Sequence, residues 1–211
     1  MSDRFGEAIG LLHLGQIAVY QGDDAQAQAC LDGCLPIARE ISHREIEGEC
    51  ELLLVESAFE QGDLTRARAC LERSLMVCLD AGDRRGEAQA LYWLGKVDLE
   101  SGDIDAARSR LSKTVLIFRD FEMREELGAC LEDHAVLANL QGRPQEAIRL
   151  ASSAQAYRER LDLVRSPRRL RRWQARLETL RTAVPEAAFT AAWDEGRKTD
   201  LEETIRAAKM Q

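Results

Sequence analysis

Two pairs of side chains in this sequence stand one helical turn apart and could hold a soft metal ion: Cys30 with Cys34, and Cys130 with His134. Thiolate and imidazole are good zinc ligands, but a zinc site usually gathers four of them. The spacing of the cysteines supports another use. Cys30 and Cys70 lie 40 residues apart, and Cys50 and Cys130 lie 80 apart, with Gly10 and Ala90 at the equivalent positions. His134 takes a position held elsewhere by Leu14, Leu54 and Leu94. Small packing slots and a core histidine are expected here, and no metal. The stretch Gly196-Arg197-Lys198-Thr199 has the end of a phosphate-binding loop without its first glycine, and it follows no strand. No HExxH and no Gly-x-Ser-x-Gly occurs. No catalytic residue and no cofactor is expected. Between Arg165 and Arg181 there are seven Arg and one acid, Glu178, a net of +6 in a chain of net charge −8. That segment could be a nucleic-acid patch or a solvated helix face paired with acidic neighbours. The acidic remainder repels phosphate and favours the second reading.

The elements that position these residues come from a repeat. "QGDDAQAQACL" (Gln21 to Leu31), "QGDLTRARACL" (Gln61 to Leu71), "SGDIDAARSRL" (Ser101 to Leu111) and "QGRPQEAIRLA" (Gln141 to Ala151) follow one another at a period of 40 residues. A fixed period of this size marks a repeat array. Each copy predicts two helices. Gly22, Gly62, Gly102 and Gly142 supply left-handed residues that close the first helix, and Asp23, Asp63 and Asp103 cap the second. Arg143 breaks the pattern, but Pro144 follows at the first helical position, where its missing N–H costs nothing. The predicted helix pairs are 4–20 and 24–41, 44–61 and 64–80, 84–101 and 104–120, and 124–141 and 144–162. Pro36 is expected to kink or interrupt the second helix. Ala27, Ala67, Ala107 and Ala147 agree in all copies, and Ala8, Gly48, Ala88 and Gly128 are all small, which implies close helix crossings. Stacked hairpins are expected to bury these faces as one core.

The spacing Leu11-x-x-Leu14-Gly15, Ala18, Gly22, Ala27, Leu31, matched by Leu91-x-x-Leu94-Gly95, Gly102, Ala107, Leu111, resembles the tetratricopeptide repeat. Val55 and Ala135 stand where that family favours Gly, Glu51 stands at an apolar position, and the period exceeds the usual 34 residues. The resemblance implies an all-α, right-handed superhelical array of four 40-residue hairpins over residues 1–163.

Residues 164–211 lose the period. Ser166-Pro167 predicts a helix start, with Leu170, Trp173, Leu177 and Leu180 as one apolar stripe. Pro185 opens a shorter helix carrying Phe189 and Trp193 and expected to close at Gly196. Asp200 and Glu203 form a capping-box pattern. This C-terminal helical cap is expected to cover the open end of the array. The wording "AAFTAAWDEGRKTDLEETIRAA" is similar to the C-terminal ends of large bacterial transcriptional regulators that join an NTPase module to helical repeats, with cyclase- and kinase-fused relatives. That likeness implies a sensor or scaffold region.

The composition, 45% hydrophobic, 31% charged and 5% aromatic over 211 residues, is that of a folded helical chain. No apolar run reaches membrane-span length, the N-terminus has no signal pattern, and six cysteines without a CxxC fit a reducing, cytoplasmic location. In the resembled family the first helices line a concave groove. By register that face holds Leu12, Gln16 and Val19, then Glu49, Leu52, Glu56 and Phe59, then Gln89, Tyr92, Lys96 and Leu99, then Glu132, Val136 and Asn139. The mixture suits a peptide or protein segment carrying Arg or Lys, with Phe59, Tyr92 and Leu99 as apolar anchors. A non-catalytic protein–protein interaction scaffold in a signalling or transcription regulator is the expected function. A structural spacer or oligomerisation region is the alternative. The first helix has no cap before it, so a second copy of the chain is one candidate to cover it.

Overall fold

A computed structural model describes residues 3–210, and these form eleven α-helices with no strand among them. The repeat supplies eight: α1 (Arg4–Gln21), α2 (Asp24–Glu40), α3 (Arg44–Glu60), α4 (Leu64–Ala81), α5 (Arg84–Ser101), α6 (Ile104–Asp120), α7 (Arg124–Leu140) and α8 (Pro144–Arg160). The tail supplies α9 (Pro167–Thr182), α10 (Glu186–Lys198) and α11 (Leu201–Lys209). The helix pairs fall where the repeat predicts them.

The turns show why. Gly22, Gly62, Gly102 and Gly142 have φ of 82°, 79°, 78° and 75°. After each, the next N–H reaches back five residues: Asp23 to Ala18, Asp63 to Ala58, Asp103 to Asp98 and Arg143 to Ala138, all at 2.9 Å. These bonds satisfy carbonyls that a helix end would leave unpaired. Asp23, Asp63 and Asp103 then accept from the N–H groups of Gln26, Arg66 and Ala106 at 3.0–3.1 Å. Arg143 makes no such bond, and Pro144 opens α8 instead. The turns between repeats are left-handed too, a regularity the sequence hides. Ser42, Gly82, Glu122 and Asp162 have φ of 57°, 68°, 54° and 53°. Only one of the four is glycine, so the other three adopt a conformation that L-residues pay to reach.

Compactness divides the chain into two units. The first comprises residues 1–71 with 166–169, and the second comprises 72–165 with 170–211. In the first, Ala8, Leu12, Leu31, Cys34, Ile37, Ala38, Ile46 and Cys50 form a core between α1, α2 and α3. In the second, Leu94, Val97, Leu111, Phe118, Leu131, Leu137 and Ile148 are among the largest fully buried side chains.

The repeated alanines Ala27, Ala67, Ala107 and Ala147 are each wholly buried. Replacing Ala107 by Leu is expected to cost about 1–3 kcal/mol through overpacking, read as a lowered denaturation midpoint. Small residues at the earlier repeat position act less uniformly. Ala8 and Ala88 are buried, whereas Gly48 is exposed and a Cβ there would meet nothing within 4 Å. Leu14 also departs from the expected core: it is 49% exposed, while its equivalents Leu94 and His134 are buried.

Two further expectations are corrected. The expected interruption at Pro36 is absent, and α2 runs through it. The ring faces solvent, where the carbonyl of Asp32, deprived of its helical donor, can be met by water. α10 does not close at Gly196 but continues to Lys198. Gly196 instead lets α10 lie against α8: a Cβ there would overlap the Arg149 carbonyl oxygen and come within 2.8 Å of Ser152 Cβ. The Ser152 and Ser153 hydroxyls donate to the carbonyls of Trp193 and Gly196 at 2.6 and 2.7 Å. α10 packs on α8, and α11 packs on α6, α7 and α8. Asp200 caps α11 by accepting from the Glu203 N–H at 2.8 Å.

Candidate functional site

In the first unit, the face predicted for ligand binding is a polar row beside an apolar one. Leu12, Val19 and Phe59 are buried and Leu52 is half-buried. Gln16 on α1 donates to Glu49 on α3. Glu56 accepts from Arg169 Nη2 at 2.9 Å. The neighbouring Arg168 forks onto the Asp24 carboxylate at 2.8 and 2.9 Å and donates to the Gly22 carbonyl at 3.3 Å, with Glu60 at 3.9 Å. The bidentate bond to Asp24, the largest cause, strengthens the Arg168 charge.

In the second unit, Tyr92, Lys96, Leu99 and Glu132 are buried, and Gln89, Val136 and Asn139 are half-buried. The Tyr92 hydroxyl donates to Asp133 Oδ2 at 2.9 Å, and Arg176 Nη1 donates to Asp133 Oδ1 at 2.9 Å. Burial pushes the Asp133 carboxyl up, but Arg176, Lys96 and Tyr92 together outweigh it and hold the group below the usual carboxylate range. The Lys96 ammonium lies 4.1 Å from the Trp93 ring centre. Glu132 accepts from Arg158 and from Arg165 Nη2, the latter at 2.7 Å. Arg165 in turn stacks on Trp173, 4.6 Å from the ring centre.

The expectation that Phe59, Tyr92 and Leu99 stand as exposed anchors is therefore corrected. They are 3%, 5% and 8% exposed. The carboxylates beside them are engaged by arginines from residues 165–176. The Arg-rich segment is thus paired with acidic neighbours, as its charge suggested, but it is less solvated than a free helix face. Arg168 and Arg176 side chains are each 22% exposed.

Four participants were missed in the sequence: Asp24, Glu60, Asp133 and Arg158. A signal existed for two of them. Asp133 stands in register with Trp93 and Leu53, and Arg158 with Phe118, Cys78 and Ala38. Arg158 is a charged group in a slot that the other copies fill with apolar ones, and Asp133 stands where the second and third copies are apolar and the first has His13.

Cys34, Cys50 and Cys130 are buried, and Cys30, Cys70 and Cys78 are half-buried. Cys50 and Cys130 both point their sulfur at the carbonyl of the leucine nineteen residues before, Leu31 at 3.9 Å and Leu111 at 3.8 Å. Burial pushes both thiols up, so neither is a ready nucleophile or metal ligand. No group of three or more metal-binding side chains occurs among the described residues.

Helical hairpins at a fixed 40-residue period, each closed by a left-handed glycine, define a tetratricopeptide-like repeat array. Residues 49–73 and 88–113 match the tetratricopeptide repeat model. The chain is also similar in fold to the nearly identical TPR-like repeats of a Podosopora anserina protein described as a kinesin light chain. That likeness has a TM-score of 0.57 and 19% identity, and it covers 95% of this chain and 93% of that one. No curated protein matches the sequence significantly. Tetratricopeptide repeats generally mediate protein–protein interaction. No described helix is long and apolar enough to cross a membrane.

Proposed function

We propose that this chain is a non-catalytic interaction scaffold whose first-helix faces bind Arg-bearing protein segments. Residues 1–163 serve as the binding array and residues 164–211 as its cover. The observation that supports this reading is the chemistry of the faces themselves. Glu56, Glu132 and Asp133 on first helices, and Asp24 at the first residue of α2, each hold an arginine in a geometry that a partner's side chain could reproduce. Guanidinium suits such a face better than ammonium because it forks onto a carboxylate. The likeness of the C-terminal wording to bacterial regulators supports a signalling or transcription context, in a reducing cytoplasm where its six free cysteines persist.

A synthetic amphipathic helix carrying arginines on one face tests the reading by calorimetric titration. Binding is expected to weaken as salt rises. Replacing Glu49 and Glu56 together by Lys is expected to weaken it at least about tenfold. Equal binding to wild type and variant would sink the assignment of this face.

A second reading is a spacer or self-association region. It is favoured by α1, where Leu14, Ile17 and Tyr20 are about half-exposed at 49%, 52% and 52% and recur every three residues. A second copy of the chain is the proposed cover.

A further inference from the structure

We infer that the Arg-rich helix α9 is a built-in competitor for the acidic faces, so that a partner segment must displace it. This rests on the proposed binding of Arg-bearing segments and adds its regulation.

The first observation is substitution of like for like. In the first unit, Arg168 and Arg169 occupy Asp24 and Glu56. In the second, Arg176 occupies Asp133, just under one turn beyond Trp173. The arginines of one helix thus take up the carboxylates that an incoming segment would need. The second observation is how α9 is held. Its ion pairs in the first unit are partly solvated, with Arg168 and Arg169 side chains 22% and 36% exposed, whereas Asp133 beneath Arg176 is 2% exposed. The two solvated pairs contribute little each and are screened by salt. Its apolar stripe is incompletely covered: Trp173 and Leu180 are buried, but Leu170 is 42% exposed. The third is the tether. Residues 161–166 before α9 are non-helical, and Val164 is 82% exposed. By contrast, α10 and α11 are fixed to the last repeat through backbone carbonyls and close packing and are not expected to leave with α9.

A ligand tied to the same chain competes at high effective concentration. The apparent affinity for any other ligand is then reduced by the fraction of molecules with the face free.

The test uses the full chain, wild type and with Arg168, Arg169 and Arg176 replaced by Ala, titrated with a labelled synthetic peptide of residues 165–182. The variant is expected to bind the peptide about tenfold tighter or more. If both proteins bind equally, the faces take arginine but α9 does not compete, and the inference fails alone. If neither binds, the proposed recognition fails and the inference with it. Should the triple variant not fold, hydrogen exchange on the wild type decides. Saturating peptide is expected to strip protection from α9 amides while α10 keeps its own, and unchanged α9 protection with the peptide bound overturns the inference.

Discussion

Replacing Arg158 by Phe is expected to destabilise the protein by about 3–5 kcal/mol, the cost of breaking a buried ion pair from one side. Arg158 is 2% exposed. Its Nε donates to Glu132, and its two terminal nitrogens fork onto Glu125 at 2.8 and 2.9 Å. Burial opposes the Arg158 charge, and the two carboxylates overcome that opposition. The repeat shows what stands in this place one copy earlier. Glu132 is in register with Tyr92 and Arg158 with Phe118, and those two rings meet edge-on at 5.6 Å. The fourth copy thus writes an ion pair where the third writes an aromatic pair. The double replacement Arg158→Phe with Glu132→Tyr should recover part of the loss, because no buried carboxylate is left facing an apolar ring, while Arg165 gives up its bond to Glu132. Urea denaturation at constant slope would measure both. A single variant as stable as wild type would show that Arg158 contributes no net stability.

Gly196→Val is the second change with a large expected effect, about 3 kcal/mol through overpacking against backbone. The added carbon meets the Arg149 carbonyl and Ser152, neither of which is the movable end of a flexible side chain. The damage should be local to the tail. Hydrogen exchange should show α10 and α11 losing protection while α5 and α6 keep theirs. Loss spread evenly through the second unit, or none at all, would contradict the close approach of α10 to α8.

Much of the fold was legible because its punctuation is chemical. A glycine that must be left-handed and an aspartate that must cap occur at fixed intervals, and they fix the helix bounds within a residue or two. Where one residue type has two uses, the reading failed. Gly196 looks like a helix stop in one dimension, but only the neighbouring helix reveals that it marks a crossing. Pro36 looks like a break, but it lies on the solvent side, where the lost bond is cheap. Leu14 matches Leu94 letter for letter, yet the first is 49% exposed and the second is buried. The acidic row at Glu49, Glu56 and Glu132 was readable from register. Its occupants were not, because Arg168 meets Asp24 across 144 positions and no local pattern encodes that.

From Asp3 to Arg160, consecutive helices are parted by no more than three residues, with a left-handed one in each gap. A protease needs an extended stretch several residues long to thread its cleft, and such tight corners do not offer one. The first longer gap is 161–166, and it ends where α9 begins. Brief digestion of the native protein should therefore open the chain there first, leaving the eight repeat helices as one uncut fragment. The arginine helix is attached by the stretch most easily severed.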